Sequence, residues 1–212
     1  MASYEYKSLG DYKDLLFKLL LYSGEKSELL MDITMPTLDD DRFEKYDNFL
    51  GGEYDIYVGS GKNQTVEHVK LQGRLFDVPF IYSTVTNTIN TICIDTNISS
   101  CNPNTKEMVI TLNVMCHKDN LELDIETKRK YKKLGYKGNR LDIMVALIGE
   151  ILNYSKENGK KTGIQIGTLN PIPRNPVIPD YPNNNFFGKT MTYTCSDFMV
   201  DYAQRSIVNG WL

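Results

Sequence analysis

The sequence predicts an α+β fold: a small, mostly antiparallel β-sheet packed against flanking α-helices, with long loops and an extended proline-rich arm. Three observations predict it. Glu107 to His117 alternates, with Met108, Ile110, Leu112, Val114 and Cys116 on one face and Thr111 and Asn113 on the other. After a charged stretch, Leu141, Met144, Val145, Ile148, Ile151 and Leu152 recur at helical spacing behind Asn139, a good N-cap. A strand and a helix with matching apolar faces form a packing unit. Finally, Leu169 to Pro182 holds five of the chain's eight prolines. That density rules out a helix or a central strand, because proline lacks the backbone N–H that both need.

The remaining elements follow in chain order. Ser8 and Asp11 are placed to open a helix over about residues 11–23, with Leu15, Leu16, Leu19 and Leu20 as its apolar stripe and Gly24 as its stop. Met35-Pro36 breaks regular structure, and Asp39-Asp40-Asp41 reads as a solvated acidic turn rather than a cation site. Tyr54 to Val58 is a short strand stopped by Gly59-Ser60-Gly61, and Val66–Leu71 and Val78–Tyr82 are further strand candidates. Thr91–Thr96 and Met108–Cys116 are expected to pair as a hairpin across the polar Ser99–Thr105 turn. Lys118 to Lys137 reads as a charged loop. Asn183 to Asn185 is a turn, and Lys189 to Cys195 alternates as a last strand, with Met191, Tyr193 and Cys195 facing one way. The chain is expected to be a single domain over 1–212, with 36–86 as an insertion or β-extension and 169–185 as the extended arm.

Composition narrows the function. Of 212 residues, 41% are hydrophobic and 24% charged, enough to fill one core. A net charge of −3 argues against nucleic-acid affinity spread over the whole surface, although a local basic patch remains open. Cys93, Cys101, Cys116 and Cys195 lack C-x-x-C spacing, and with only two histidines a zinc site is not expected. All four are expected to be free thiols. No signal peptide is read at the start, and the run Leu15–Leu21 contains Lys18 and is too short to span a bilayer. Synthesis in a reducing host cytoplasm is the expectation, with no membrane association.

Catalytic signatures are absent. Gly59-Ser60-Gly61-Lys62 lacks phosphate-loop spacing, and no G-x-S-x-G elbow occurs. Cys116 and His117 are neighbours in a strand, so their side chains point to opposite faces and do not form a nucleophile–base pair. No catalytic residue, metal site or cofactor is expected. Two interaction segments stand out instead. Lys128, Arg129, Lys130, Lys132, Lys133 and Lys137, with Arg140 beyond them and Tyr131 and Tyr136 interleaved, suit contact with an acidic partner or with phosphates. In the proline-rich arm, Ile172, Val177, Ile178, Tyr181 and Phe186 are apolar enough to seek burial on a neighbouring molecule.

The order of these elements resembles that of the tail-terminator and neck proteins of tailed bacteriophages. The segments that carry the likeness are Val109 to Asp119, a strand ending in a charged turn, the helix Arg140 to Ile148, and Phe187 to Tyr193, returning as an edge strand. The likeness covers roughly Ile89 to Asp197, and 36–86 is additional to it. It implies a structural virion protein without catalytic residues. Such a protein forms an oligomeric ring, commonly a hexamer, in the neck or at the head-proximal end of the tail. Its implied partners are copies of itself and the neighbouring neck, connector and tail-tube proteins, with DNA passing through the lumen without sequence-specific binding. The alternative is a nucleic-acid-binding accessory protein that uses the basic segment 128–140.

Overall fold

A computed structural model describes residues 13–60, 64–77, 88–101, 105–158, 170–171 and 177–198. The elements run α1 (13–22), α2 (Glu25–Thr34), α3 (Lys45–Leu50), β1 (Gly52–Val58), β2 (Thr65–Leu71), β3 (Leu75–Phe76), β4 (Thr91–Cys101) and β5 (Thr105–His117). Then come α4 (Lys118–Leu121), α5 (Ile125–Lys133), α6 (Arg140–Asn158), β6 (Asn170–Pro171), β7 (Val177–Asn183) and β8 (Phe186–Phe198). The fold is α+β. The larger sheet has the order β3-β4-β5-β8-β6, with β7 also paired to β8, and every pairing is antiparallel except β3 with β4. A separate two-stranded ribbon is formed by β1 and β2.

The expected hairpin is present and longer than its sequence signal. Ile92 lies opposite Val114 and Ile94 opposite Leu112, and the pairing continues to Cys101 opposite Lys106 past an irregularity at Ile98 and Ser100. On the next strand, Met191 faces Leu112 and Tyr193 faces Ile110. Residues directly opposite share a face of the sheet, so Ile92, Ile94, Ile110, Leu112, Val114, Met191 and Tyr193 form one apolar surface. All seven are buried. Leu16 and Leu20 of α1, Leu30 and Ile33 of α2, and Met144, Ile148 and Ile151 of α6 join them in one cluster. The other face carries Thr111, Asn113, Thr190 and Thr192, all half-buried, with Thr190 Oγ1 donating to Asn113 Oδ1 at 2.9 Å.

Helix ends obey local chemistry. Asn139 Oδ1 accepts from the Asp142 amide at 3.0 Å, and Asp142 Oδ2 accepts from the Asn139 amide at 3.0 Å. This is a reciprocal cap, and it starts α6 where the sequence placed the start. Gly24, at φ 65°, ends the first helix. Ser8 and Asp11 lie outside the described residues, as does the strand candidate Val78–Tyr82.

Three expectations are corrected. The basic run is a helix and not a loop. Asp124 caps it by accepting from the Thr127 amide at 2.8 Å, Gly135 at φ 94° follows its end, and the buried Tyr131 pins it by donating its hydroxyl to the Leu29 carbonyl at 2.7 Å. One buried aromatic anchors an otherwise polar helix, so there was little apolar periodicity to see. Second, the last strand is not at an edge: β8 lies between β5 and the strands β6 and β7. Third, the described part of the proline-rich arm belongs to the chain's own sheet. Val177 to Asn183 pairs with β8, and the prolines sit where a strand tolerates them, on an edge.

Candidate interaction surfaces

The ribbon of β1 and β2 leaves the body at a tight crossing. Gly51 and Gly73 adopt φ 74° and 67°, and a Cβ on either would meet the backbone of the opposite segment at 2.6 Å or less. Only glycine fits both the conformation and the approach. Arg74 fastens the same base. Its amide donates to the Phe49 carbonyl and its carbonyl accepts from Ile92, both at 2.7 Å, tying α3 to the sheet. Its buried guanidinium pairs with Asp39, whose Oδ2 also accepts from the Gln72 amide at 3.0 Å. The buried Asn48 holds the facing loop, accepting from the Asp39 and Asp40 amides and donating to three carbonyls.

Seven paired residues on each strand carry the ribbon about 20 Å from this base. The face bearing Glu53, Asp55 and Tyr57 places them opposite Lys70, His68 and Val66. Glu53 pairs with Lys70 at 2.8 Å, and Asp55 pairs with the His68 ring. Such exposed, solvent-screened pairs add little to stability, so they act more on register. Tyr57 is 70% exposed, and Val58 and Val66 are 42% and 46% exposed. On the other face Tyr54 packs at a tilt against Phe43, with ring centroids 4.8 Å apart, and Arg42 reaches Glu67 at 2.8 Å.

Two carboxylates of the acidic triplet are therefore engaged within the chain. Asp39 serves Arg74 and Asp40 serves Arg42, and the latter pairing pulls the Asp40 carboxyl down to about 2.

The basic residues are partly brought together. Lys128, Arg129, Lys130, Lys132 and Lys133 are exposed on α5, with Lys137 exposed beyond it. Lys130 is engaged within the chain, pairing at 2.8 Å with Asp32, which also takes Lys45 of α3. Burial opposes ionisation of Asp32, but its hydrogen bonds to Lys130 and Lys45 outweigh it and leave the carboxyl below its ordinary value. Arg140 leaves the basic surface altogether. It is buried, donates to the Asn120 and Ile33 carbonyls at 2.6 and 2.8 Å, and holds α6 to α2 and α4. Between α2 and α5 lies a depression of about 750 Å³ lined by Glu25, Leu29, Glu126, Thr127, Arg129, Lys130, Lys133 and Leu134.

The arm residues separate in the same way. Phe186 is buried and Val177 packs partly against the core, whereas Ile178 and Tyr181 are 48% and 69% exposed. Ile172 lies outside the described residues. The ribbon tip, Tyr57, Val58 and Val66, was missed as a surface. Its signal was available in the acidic positions 53 and 55 facing the basic positions 68 and 70 across a Gly-Ser-Gly turn.

A family model described as YomW matches residues 14–195. The chain belongs to the YomW family. This membership points to a phage-related origin. The match spans both the ribbon and the main sheet. No curated protein and no solved structure matches the chain.

Among the described residues no group of three or more His, Cys, Asp and Glu side chains is placed to hold a metal, and no helix is long and apolar enough to cross a membrane. Cys116 lies in the core, whereas His117 turns to the edge of Phe186, so the two diverge as strand neighbours should. Cys93 and Cys116 are free and buried, and the side chains of Cys101 and Cys195 lie outside the described set.

Burial pushes the Cys93 thiol up to about 11 and the Cys116 thiol up to about 12, and it raises the Tyr193 phenol to about 12. In the unfolded chain these groups release protons near pH 8.5 for cysteine and about 10 for tyrosine. Below about pH 8.5 both states keep the protons and these groups give no pH dependence. Above it the unfolded chain binds fewer protons than the native one, so stability falls as pH rises toward 12. Urea midpoints should be level from about pH 7 to 8 and decline from 9 to 11. A midpoint that held to pH 11 would show these groups to be less buried than described.

Proposed function

We propose that this protein is a structural, non-enzymatic component of a phage particle. It would assemble as a homo-oligomeric ring in the neck or at the head-proximal end of the tail and join the tail tube to the connector. Its neighbours would be other neck, connector and tail-tube proteins, with DNA threading the lumen. The particle is then its place of action and the host cytoplasm its place of synthesis. The observation that carries this reading is the ribbon. A two-stranded hairpin is marginally stable alone, yet this one leaves the core with Tyr57, Val58 and Val66 exposed at its end. Apolar residues on a projecting arm gain most by burial against another molecule. Membership of the YomW family supports the phage setting, and the order of elements resembles that of the tail-terminator and neck proteins.

Exposed Lys128, Arg129, Lys132 and Lys133 on one short helix favour a second reading, a nucleic-acid-binding accessory protein. The two separate in solution. Light scattering after size exclusion should give a closed multiple of the 24.3 kDa chain, and micrographs should show annular particles. Changing Lys128, Arg129, Lys132 and Lys133 to glutamate should weaken assembly most at low salt, because screening shortens the reach of surface charges. A monomer that binds duplex DNA with a steep salt dependence, lost in the same variant, would replace the ring reading with the second one.

A further inference from the structure

We propose that the β1–β2 ribbon of one copy docks by its tip into the α2–α5 depression of the next copy. This rests on the oligomer reading above and names the two surfaces that would meet.

The surfaces are complementary in charge and in apolar content. The ribbon strands carry Glu53, Asp55 and Glu67 against one lysine, Lys70. The segment 125–137 carries Lys128, Arg129, Lys130, Lys132, Lys133 and Lys137 against one carboxylate, Glu126. Arg129, Lys130 and Lys133 outnumber Glu25 and Glu126 in the lining of the depression, which also holds Leu29 and the 45%-exposed Leu134; Lys130 is already paired with Asp32. A net-acidic shaft ending in an aromatic and two valines thus matches a net-basic hollow lined in part by leucines. The ion pairs on the ribbon are solvent-exposed and easily shared with a partner's cations. Such complementarity fixes orientation and speeds encounter, while burial of Tyr57 supplies the anchor.

A ribbon seated in the depression comes from another copy. No ribbon residue lines the depression in its own chain. The Gly51–Gly73 crossing and the Arg74–Asp39 pair hold the ribbon base to α3 and the sheet. On the β8 side the large sheet ends in strands that carry Pro171, Pro179 and Pro182, and proline-bearing edges resist strand addition. A ribbon meeting a different surface is a head-to-tail contact, which closes into a ring when the rotation between copies allows.

The test uses the full chain with Tyr57→Cys in one preparation and Lys133→Cys in another. Mild oxidation of the mixture should give covalent dimers well above the level in either preparation alone, which controls for native cysteines. In parallel, Tyr57→Ser with Val66→Ser should return the assembly to the monomer mass while leaving the unfolding midpoint unchanged, since both side chains are exposed. Mixed-specific cross-linking and loss of the oligomer together support the docking. An intact oligomer in the serine variant, with no cross-link specific to the mixture, would overturn it and assign the ribbon to a different partner, leaving the ring reading standing. A monomer from the unmodified chain at every concentration would overturn both.

Discussion

Replacing Leu112 by alanine is expected to cost about 2–5 kcal/mol, and replacing Ile148 by alanine a similar amount. Leu112 is at the centre of the sheet, opposite Ile94 on one side and Met191 on the other, and is fully buried. Ile148 is fully buried on the helix that covers it. Both substitutions remove apolar volume where strands and helix hold the walls apart, so transfer and cavity costs add. The two side chains belong to one cluster, and the double variant should deviate from additivity if they share a cavity. Denaturant unfolding measures the losses. A cost below about half a kcal/mol at both sites would mean that this interface is not the core.

Asp39→Ala should cost about 1–3 kcal/mol, the range for leaving a buried donor without its partner. The loss falls on Arg74, whose side chain is 5% exposed and cannot reach water without moving the ribbon base. It retains a hydrogen bond to the Gly73 carbonyl at 2.8 Å, which does not neutralise it. Removing Asp39 also strips an acceptor from the Gln72 amide. Adding Arg74→Met to Asp39→Ala should recover part of the loss, because the unpaired cation is then gone. A cost under about 1 kcal/mol for Asp39→Ala alone, or no recovery in the double variant, would show that water already reaches the guanidinium.

The sequence alone determined the main packing unit. Alternation from Met108 to Cys116 and helical spacing from Leu141 to Leu152 report which faces are apolar, and burial of those faces is the largest favourable contribution to folding. Asn139 and Gly24 were legible because caps act within one turn of chain. The same holds for Cys116 and His117, which diverge by the geometry of any strand. What only the tertiary structure decided were relations between distant residues. Arg140 read as one more cation in a basic run, and its burial depends on the Ile33 and Asn120 carbonyls arriving from other helices. Asp39 and Asp40 read as a solvated turn until Arg74 and Arg42 supplied partners. The segment 125–133 read as a loop because one side chain, Tyr131, anchors it, and a single contact has no period. The proline-rich stretch was correctly barred from a central position, but that its β7 part lines the chain's own β8 is a matter of strand pairing across the fold. The ribbon divides along the same line. Its two strands were visible locally, whereas its stance away from the core is set by the close approach of Gly51 and Gly73, twenty-two positions apart, and by Arg74 beside them. Local sequence fixes conformational preference and the apolar face of each element; which polar groups lose their water depends on what the rest of the chain brings against them.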